Sequence, residues 1–236
     1  MEKELNKVLK DLNASEIGID DTFKFHCTQC GKCCYHRGDI ILTAIDLYNG
    51  AKKLNITIEQ FVEKYCECII GKNSKLPVVF LKPVGIQQRC PLLVNNLCQI
   101  HHAKPRVCSL YPIGRGFLFN TDEKEEVVFR ADEIRYIKVD SNCGDDSQVQ
   151  TVREWISHAG ISTVDEFFLS WQKIIYHGHR YMDSCISEVR IEDYFHTVSY
   201  LFSKMYMEYD TESEFLPQFM KNADAIFNYI GQRERT

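Results

Sequence analysis

The sequence predicts an α+β protein, with short helices and a small antiparallel sheet in a cysteine-rich domain, followed by a helical C-terminal region. Three observations carry this expectation. Short β-branched or aromatic runs alternate with Cys-, Gly- and Pro-containing loops through the first part of the chain. Ten of the eleven cysteines lie before residue 145, and only Cys185 lies after it. Beyond that point Phe and Tyr recur at three- and four-residue intervals, the period of an amphipathic helix. The expected division is an N-terminal helical segment over 1–21, a cysteine-rich domain over 22–145 and a helical region over 146–236.

Taken in order, residues 1–10 form a charged amphipathic pattern with no apolar stretch. Thr43 followed by Ala-Ile-Asp-Leu-Tyr predicts a short helix over 43–54. Thr57-Ile58-Glu59-Gln60 has the capping-box pattern, in which side chains satisfy the amides left unpaired at a helix start, so a second helix begins there. Cys66 and Cys68 fall at that helix's end, where a spacing of two faces them apart, and read as volume-filling thiols. Runs at 77–84, 116–120, 127–130 and 135–139 predict strands, with Asp122-Glu123-Lys124 in a turn. In the tail, 148–158 reads as helical. Thr163-Val164-Asp165-Glu166 is another capping box, with Ile161 as its staple, opening a helix to about Tyr181. Helices over 191–209 and 211–230 complete the chain. Their aromatic stripes read as packing surfaces rather than a cofactor box.

At 236 residues the chain can bury a core. Its 44% hydrophobic and 26% charged content is ordinary for a globular protein. A net charge of −5 gives no reason to expect nucleic acid or an anionic membrane as partner. No apolar run is long enough to span a bilayer, and the first residues do not resemble a secretory leader. The expected location is therefore cytoplasmic. In that reducing compartment clustered cysteines read as metal ligands or redox groups rather than disulfides.

Four cysteines fall within eight residues, Cys27-Thr28-Gln29-Cys30-Gly31-Lys32-Cys33-Cys34. Two residues between thiols let a tight turn aim both sulfurs at one ion, with turn amides stabilising the thiolates. Gly31 suits a sharp turn at positive φ. A C-x2-C-x2-C series can seat three corners of an iron–sulfur cube, as in bacterial ferredoxins. There the fourth cysteine comes three residues later, whereas here Cys34 follows Cys33 directly. Adjacent side chains diverge, which opens Cys34 to a different metal from Cys33. A second group comprises Cys90-Pro91-Leu92-Leu93, Cys98, His101, His102 and Cys108, with Pro105 and Pro112 stiffening the last segment. Four thiols in one group and three in the other exceed the four ligands of one tetrahedral ion, so either two sites or one multinuclear centre is expected. His26 and His36 flank the first group, placed to support its ligands by hydrogen bonds. Cys185 and the histidines His158, His177, His179 and His196 read as core or surface residues.

Phe25-His26-Cys27-x2-Cys30-Gly31-x-Cys33-Cys34, followed by Ile41-Leu42-Thr43 and Asp46, resembles the CxxCxxCC cysteine-cluster family, a YkgJ-like zinc- or iron-chelating domain. Its further elements match Cys90-Pro91-Leu92-Leu93, Cys98-Gln99-Ile100-His101, Lys104-Pro105-Arg106-Val107-Cys108, Tyr111-Pro112 and Asn142-Cys143-Gly144. Two positions depart from the pattern: Lys104 stands where the family has Arg, and Cys143 lacks a following Pro. The resemblance implies metal ligands at Cys27, Cys30, Cys33, Cys34, Cys90, Cys98, Cys108 and Cys143. It leaves iron–sulfur cluster or zinc as the cofactor and assigns no catalytic residue.

Some relatives are flagellin lysine N-methylases carrying an iron–sulfur cluster. This sequence shows neither a glycine-rich nucleotide fingerprint nor the C-x3-C-x2-C triplet of radical enzymes, since position 37 is Arg. Three functions from different classes follow. The leading one is a metal-binding protein with clustered thiolates. The others are a metal-dependent enzyme related to the methylases, and a structural zinc module whose helical region meets a protein partner.

Overall fold

The computed structural model describes residues 15–117, 129–186 and 191–233. The helical pattern expected over 1–10, the turn at 122–124, most of the strand at 127–130 and the side chain of Cys185 lie outside the described residues.

Along the chain come strands β1 (Glu16–Ile17), β2 (Thr22–His26) and β3 (Ile41–Leu42), then helices α1 (Ala44–Leu54) and α2 (Ile58–Tyr65). Strands β4 (Cys66–Ile70) and β5 (Pro77–Leu81) follow, then the hairpin of β6 (Leu93–Val94) and β7 (Leu97–Cys98). Next are the short helix α3 (Arg106–Leu110) and strands β8 (Ile113–Phe117), β9 (Ile134–Lys138) and β10 (Asp145–Thr151). The rest is helical. It comprises α4 (Val152–His158), α5 (Glu166–Ile186), α6 (Ile191–Phe202) with a π-helical turn over Ser203–Met207, and α7 (Phe215–Arg233). The chain is thus mixed α+β, with small antiparallel sheets and a helical C-terminal region. It divides into two compact units, one of residues 1–33 and 107–165 and the other of residues 34–106 and 166–236.

In the first unit, β1, β9 and β8 form a three-stranded antiparallel sheet, and β10 pairs with β2 as a two-stranded ribbon. Strand β2 alternates by face, with buried Phe23 and Phe25 alternating with exposed Thr22 and Lys24. Both buried rings meet the Trp155 indole edge-on, at 6.1 and 5.5 Å between centroids, and the indole N–H donates to the Leu110 carbonyl at 2.8 Å. The Arg115–Asp165 ion pair, at 3.0 Å, is almost wholly buried.

In the second unit, β3, β5 and β4 form an antiparallel sheet whose inner face buries Leu42, Val79 and Leu81. Helices α1 and α2 start at Thr43 and Thr57 as expected; Thr57 Oγ1 accepts the Gln60 amide at 3.2 Å. The aromatic stripes of the C-terminal helices are largely core, with Phe195 on α6 exposed. Phe167 meets Phe219 at 4.6 Å and Trp171 meets Tyr206 at 5.5 Å, while the Tyr206 hydroxyl donates to the Pro77 carbonyl at 3.2 Å. Helices α5 to α7 therefore share a core with the β3–β5–β4 sheet.

The structure corrects several boundaries. The helix expected from 148 begins at Val152, because Val149, Gln150 and Thr151 pair with β2 and a Thr151–Glu154 capping box starts the helix. Helix α5 begins at Glu166 rather than at Thr163 and continues to Ile186; the Asp165 carboxylate is engaged by Arg115. The helix expected over 191–209 passes into the π-helical turn after Phe202, and the last helix covers Phe215–Arg233. Cys66 and Cys68 stand in strand β4, where a spacing of two places them on one face, not apart.

Candidate metal centre

The first cysteine group starts where β2 ends. Asp145 of β10 is in register with His26, so the β2–β10 ribbon brings Cys143 and Gly144 to the end of β2 from which Cys27 departs. A bulge separates Asp145 from Val149 in the ladder, and the buried Gln150 amide reaches the Phe25 carbonyl at 2.7 Å. Gln29 and Gly31 both adopt positive φ, 53° and 71°, which coils the Cys27–Cys33 loop tightly before a 3₁₀ turn over Lys32–Cys34. Gly31 thus has the backbone conformation its place between thiols called for.

The main chain is aimed at sulfur here. Hydrogen bonds from the Gly144 and Lys32 amides hold the Cys30 thiol below the ordinary thiol range, with a further bond from Thr28. Gly144 must be glycine, since its φ is +72° and a Cβ would lie 2.5 Å from the His26 carbonyl oxygen. Cys143, 9% exposed, lies in the field of Cys33 and Cys30. Burial, then those two neighbours, push its thiol up to about 11, opposed by a hydrogen bond from the Tyr111 side chain. Tyr111 is fixed by edge-on contact with Phe25, at 6.2 Å between centroids. Sequence reading did not assign the Gly144 amide or Tyr111 a part; their positions beside Cys143 and Pro112 were the available signal.

The other unit carries Cys34, Cys90 and Cys98. The Cys90 amide donates to the Cys34 carbonyl at 2.8 Å, while the His36 and Arg37 amides donate to Gln87 and Gln88 at 3.0 and 3.2 Å. Residues 34–37 therefore lie along residues 87–90. The Leu93 amide bonds the Cys90 carbonyl at 3.1 Å, and Leu93 is in register with Cys98 across the β6–β7 hairpin. Asn95 and Asn96, at φ 51° and 61°, make the two-residue turn that this hairpin needs. One small hairpin thus places Cys90 and Cys98 next to the segment that follows Cys33.

His101 sits on a 3₁₀ turn beside His102, and burial, then the charges of Lys104 and His102, lower its pKa. Cys108, half-buried, lies on α3.

None of the ten described cysteines is joined in a disulfide. Among the described residues, no three His, Cys, Asp or Glu side chains are gathered closely enough to hold one ion as they stand. The donor chemistry nevertheless fits zinc and iron alike: sulfur donors on tight turns, with two main-chain amides directed at Cys30.

A thiol-rich α+β protein of this kind, with sulfur donors presented by short turns and a hairpin, is a metal-binding protein. Residues 26–144 match the CxxCxxCC family, described as a "Putative zinc- or iron-chelating domain", and the chain belongs to that family. No curated protein and no solved structure matches the chain. No helix among the described residues is long and apolar enough to cross a membrane.

Proposed function

We propose that this protein holds zinc or an iron–sulfur cluster through thiolates drawn from Cys27, Cys30, Cys33, Cys34, Cys90, Cys98, Cys108 and Cys143. The observation that supports it best is the 2.8 Å bond between the Cys90 amide and the Cys34 carbonyl. It sets one member of the first cysteine group beside one member of the second within one folded unit, so that two candidate ligands distant in sequence are neighbours. Eight candidate sulfurs exceed the needs of one tetrahedral ion and match either two ions or a multinuclear centre. Bound zinc would act as a cross-link of the fold, and a cluster would add one-electron chemistry.

Anaerobic isolation followed by metal and acid-labile sulfide analysis tests this reading. A brown protein with iron and sulfide in comparable amounts establishes the cluster, and a colourless protein with stoichiometric zinc establishes the ion. Absence of both from protein isolated without chelator overturns the reading.

A further inference from the structure

Two motif elements without sulfur, Thr43 with Asp46 and Pro105 with Arg106, are left over from the ligand assignment, and a single carboxylate joins them. Asp46 is 3% exposed. Its Oδ2 accepts from the Thr43 amide at 2.8 Å and from the Thr43 hydroxyl at 2.7 Å. Its Oδ1 accepts from the Arg106 amide, sixty residues away, at 2.8 Å. Capping α1 needs Oδ2 alone. The second oxygen does something that helix capping does not explain.

Arg106 is the first residue of α3, and Cys108 is the third. Pro105 has no N–H, so the Arg106 amide is the first main-chain donor available at that helix start. A five-residue helix has little stability or fixed direction of its own. Its position is therefore set by what it is tied to, and Asp46 ties its first amide to the start of α1. The Arg106 guanidinium adds a contact over the Phe167 ring, 5.1 Å from its centroid. Burying a carboxylate is costly unless its oxygens are satisfied, and here three donors satisfy both.

We propose that Asp46 is a positioning residue of the metal centre: by holding the Arg106 amide, where α3 begins, it fixes the helix start from which Cys108 presents its sulfur. The proposal rests on the reading of Cys108 as a ligand. Asparagine at this position keeps the shape but has one acceptor oxygen, so it can serve one segment and not both.

The test compares chelator competition for the bound metal in wild type, Asp46→Asn, Cys108→Ser and the double variant. Asp46→Asn is expected to lose metal roughly 10- to 100-fold more readily, the range for groups that orient a ligand without touching the metal. Thr43→Val, which removes one donor to Oδ2 and spares the Arg106 bond, should leave affinity within about 2-fold, well short of that range. The double variant should be no weaker than Cys108→Ser alone, because α3 then has no sulfur to place. A purely architectural role for Asp46 would instead give additive losses in the double variant, and that result overturns the proposal. So does unchanged affinity in a folded Asp46→Asn protein. If Cys108→Ser itself keeps all its metal, the ligand assignment falls and takes the proposal with it. Where Asp46→Asn fails to fold, Arg106→Pro deletes the same donor at a helix position that tolerates proline, and the same comparisons apply.

Discussion

The main-chain amide of Cys90 donates to the carbonyl of Cys34 at 2.8 Å, so two cysteines far apart in sequence are neighbours in one folded unit. Serine at either position keeps that main-chain bond and replaces soft sulfur by hard oxygen, which isolates the ligand role. Cys34→Ser and Cys90→Ser are each expected to lower bound metal sharply. Cys68→Ser, on strand β4, should leave it unchanged. Elemental analysis of the three purified variants checks this, and equal losses in all three would mean the ligands are misassigned.

Gly144 supplies both a backbone conformation and an amide to the Cys30 sulfur. Gly144→Ala forces a Cβ to within 2.5 Å of the His26 carbonyl at a φ of +72°. The strain should destabilise the protein by more than about 1 kcal/mol, and the displaced amide should lower metal content as well. Denaturant unfolding with metal analysis reads both. A variant with wild-type stability and full metal would show that the β2–β10 ribbon accommodates a side chain there.

Arg115 and Asp165, with side chains 3% and 6% exposed, form a buried ion pair at 3.0 Å. Asp165→Ala leaves a buried guanidinium without this carboxylate and should cost about 3–5 kcal/mol. A matched fall in the denaturant midpoint, with unchanged slope, is the expected outcome. A loss below about 1 kcal/mol would place the pair with exposed surface bridges instead.

Tyr206 and Tyr209 tie the C-terminal helices to their unit's core, and burial pushes both phenols well above the ordinary tyrosine range. Their folded pKa values are raised and their ionised form is the deprotonated one. The unfolded chain therefore loses these protons first, and stability present below a pH of about 10 falls as pH rises beyond it. Tyrosinate absorbance and helical circular dichroism should report these two groups ionising together with unfolding. Free titration near the ordinary value with the helices intact would contradict the burial.

How far the sequence disclosed this architecture depends on how local each determinant is. Thr43 and Thr57 begin helices because their caps lie within four residues, and such signals read directly. Thr163 offered the same pattern, but Asp165 is drawn to Arg115, fifty residues away, and the helix starts after it. Residues 149–151 looked helical because their partners in β2 lie far back in the chain. The cysteine positions and the positive φ at Gly31 were legible from spacing. The Gly144 amide, the Tyr111 bond to Cys143 and the reach of Asp46 to Arg106 were not, since each depends on segments brought together by folding.

Mass-spectrometric mapping of thiol alkylation, with and without bound metal, bears most directly on whether the two cysteine groups act as one ligand system. Metal should protect thiols of both groups, at 27–34 and 90–108, together with Cys143, and leave Cys68 reactive, and chelation should release the protected thiols. Protection confined to a single group, or protection of Cys68 to the same degree, would contradict a centre built from distant thiolates.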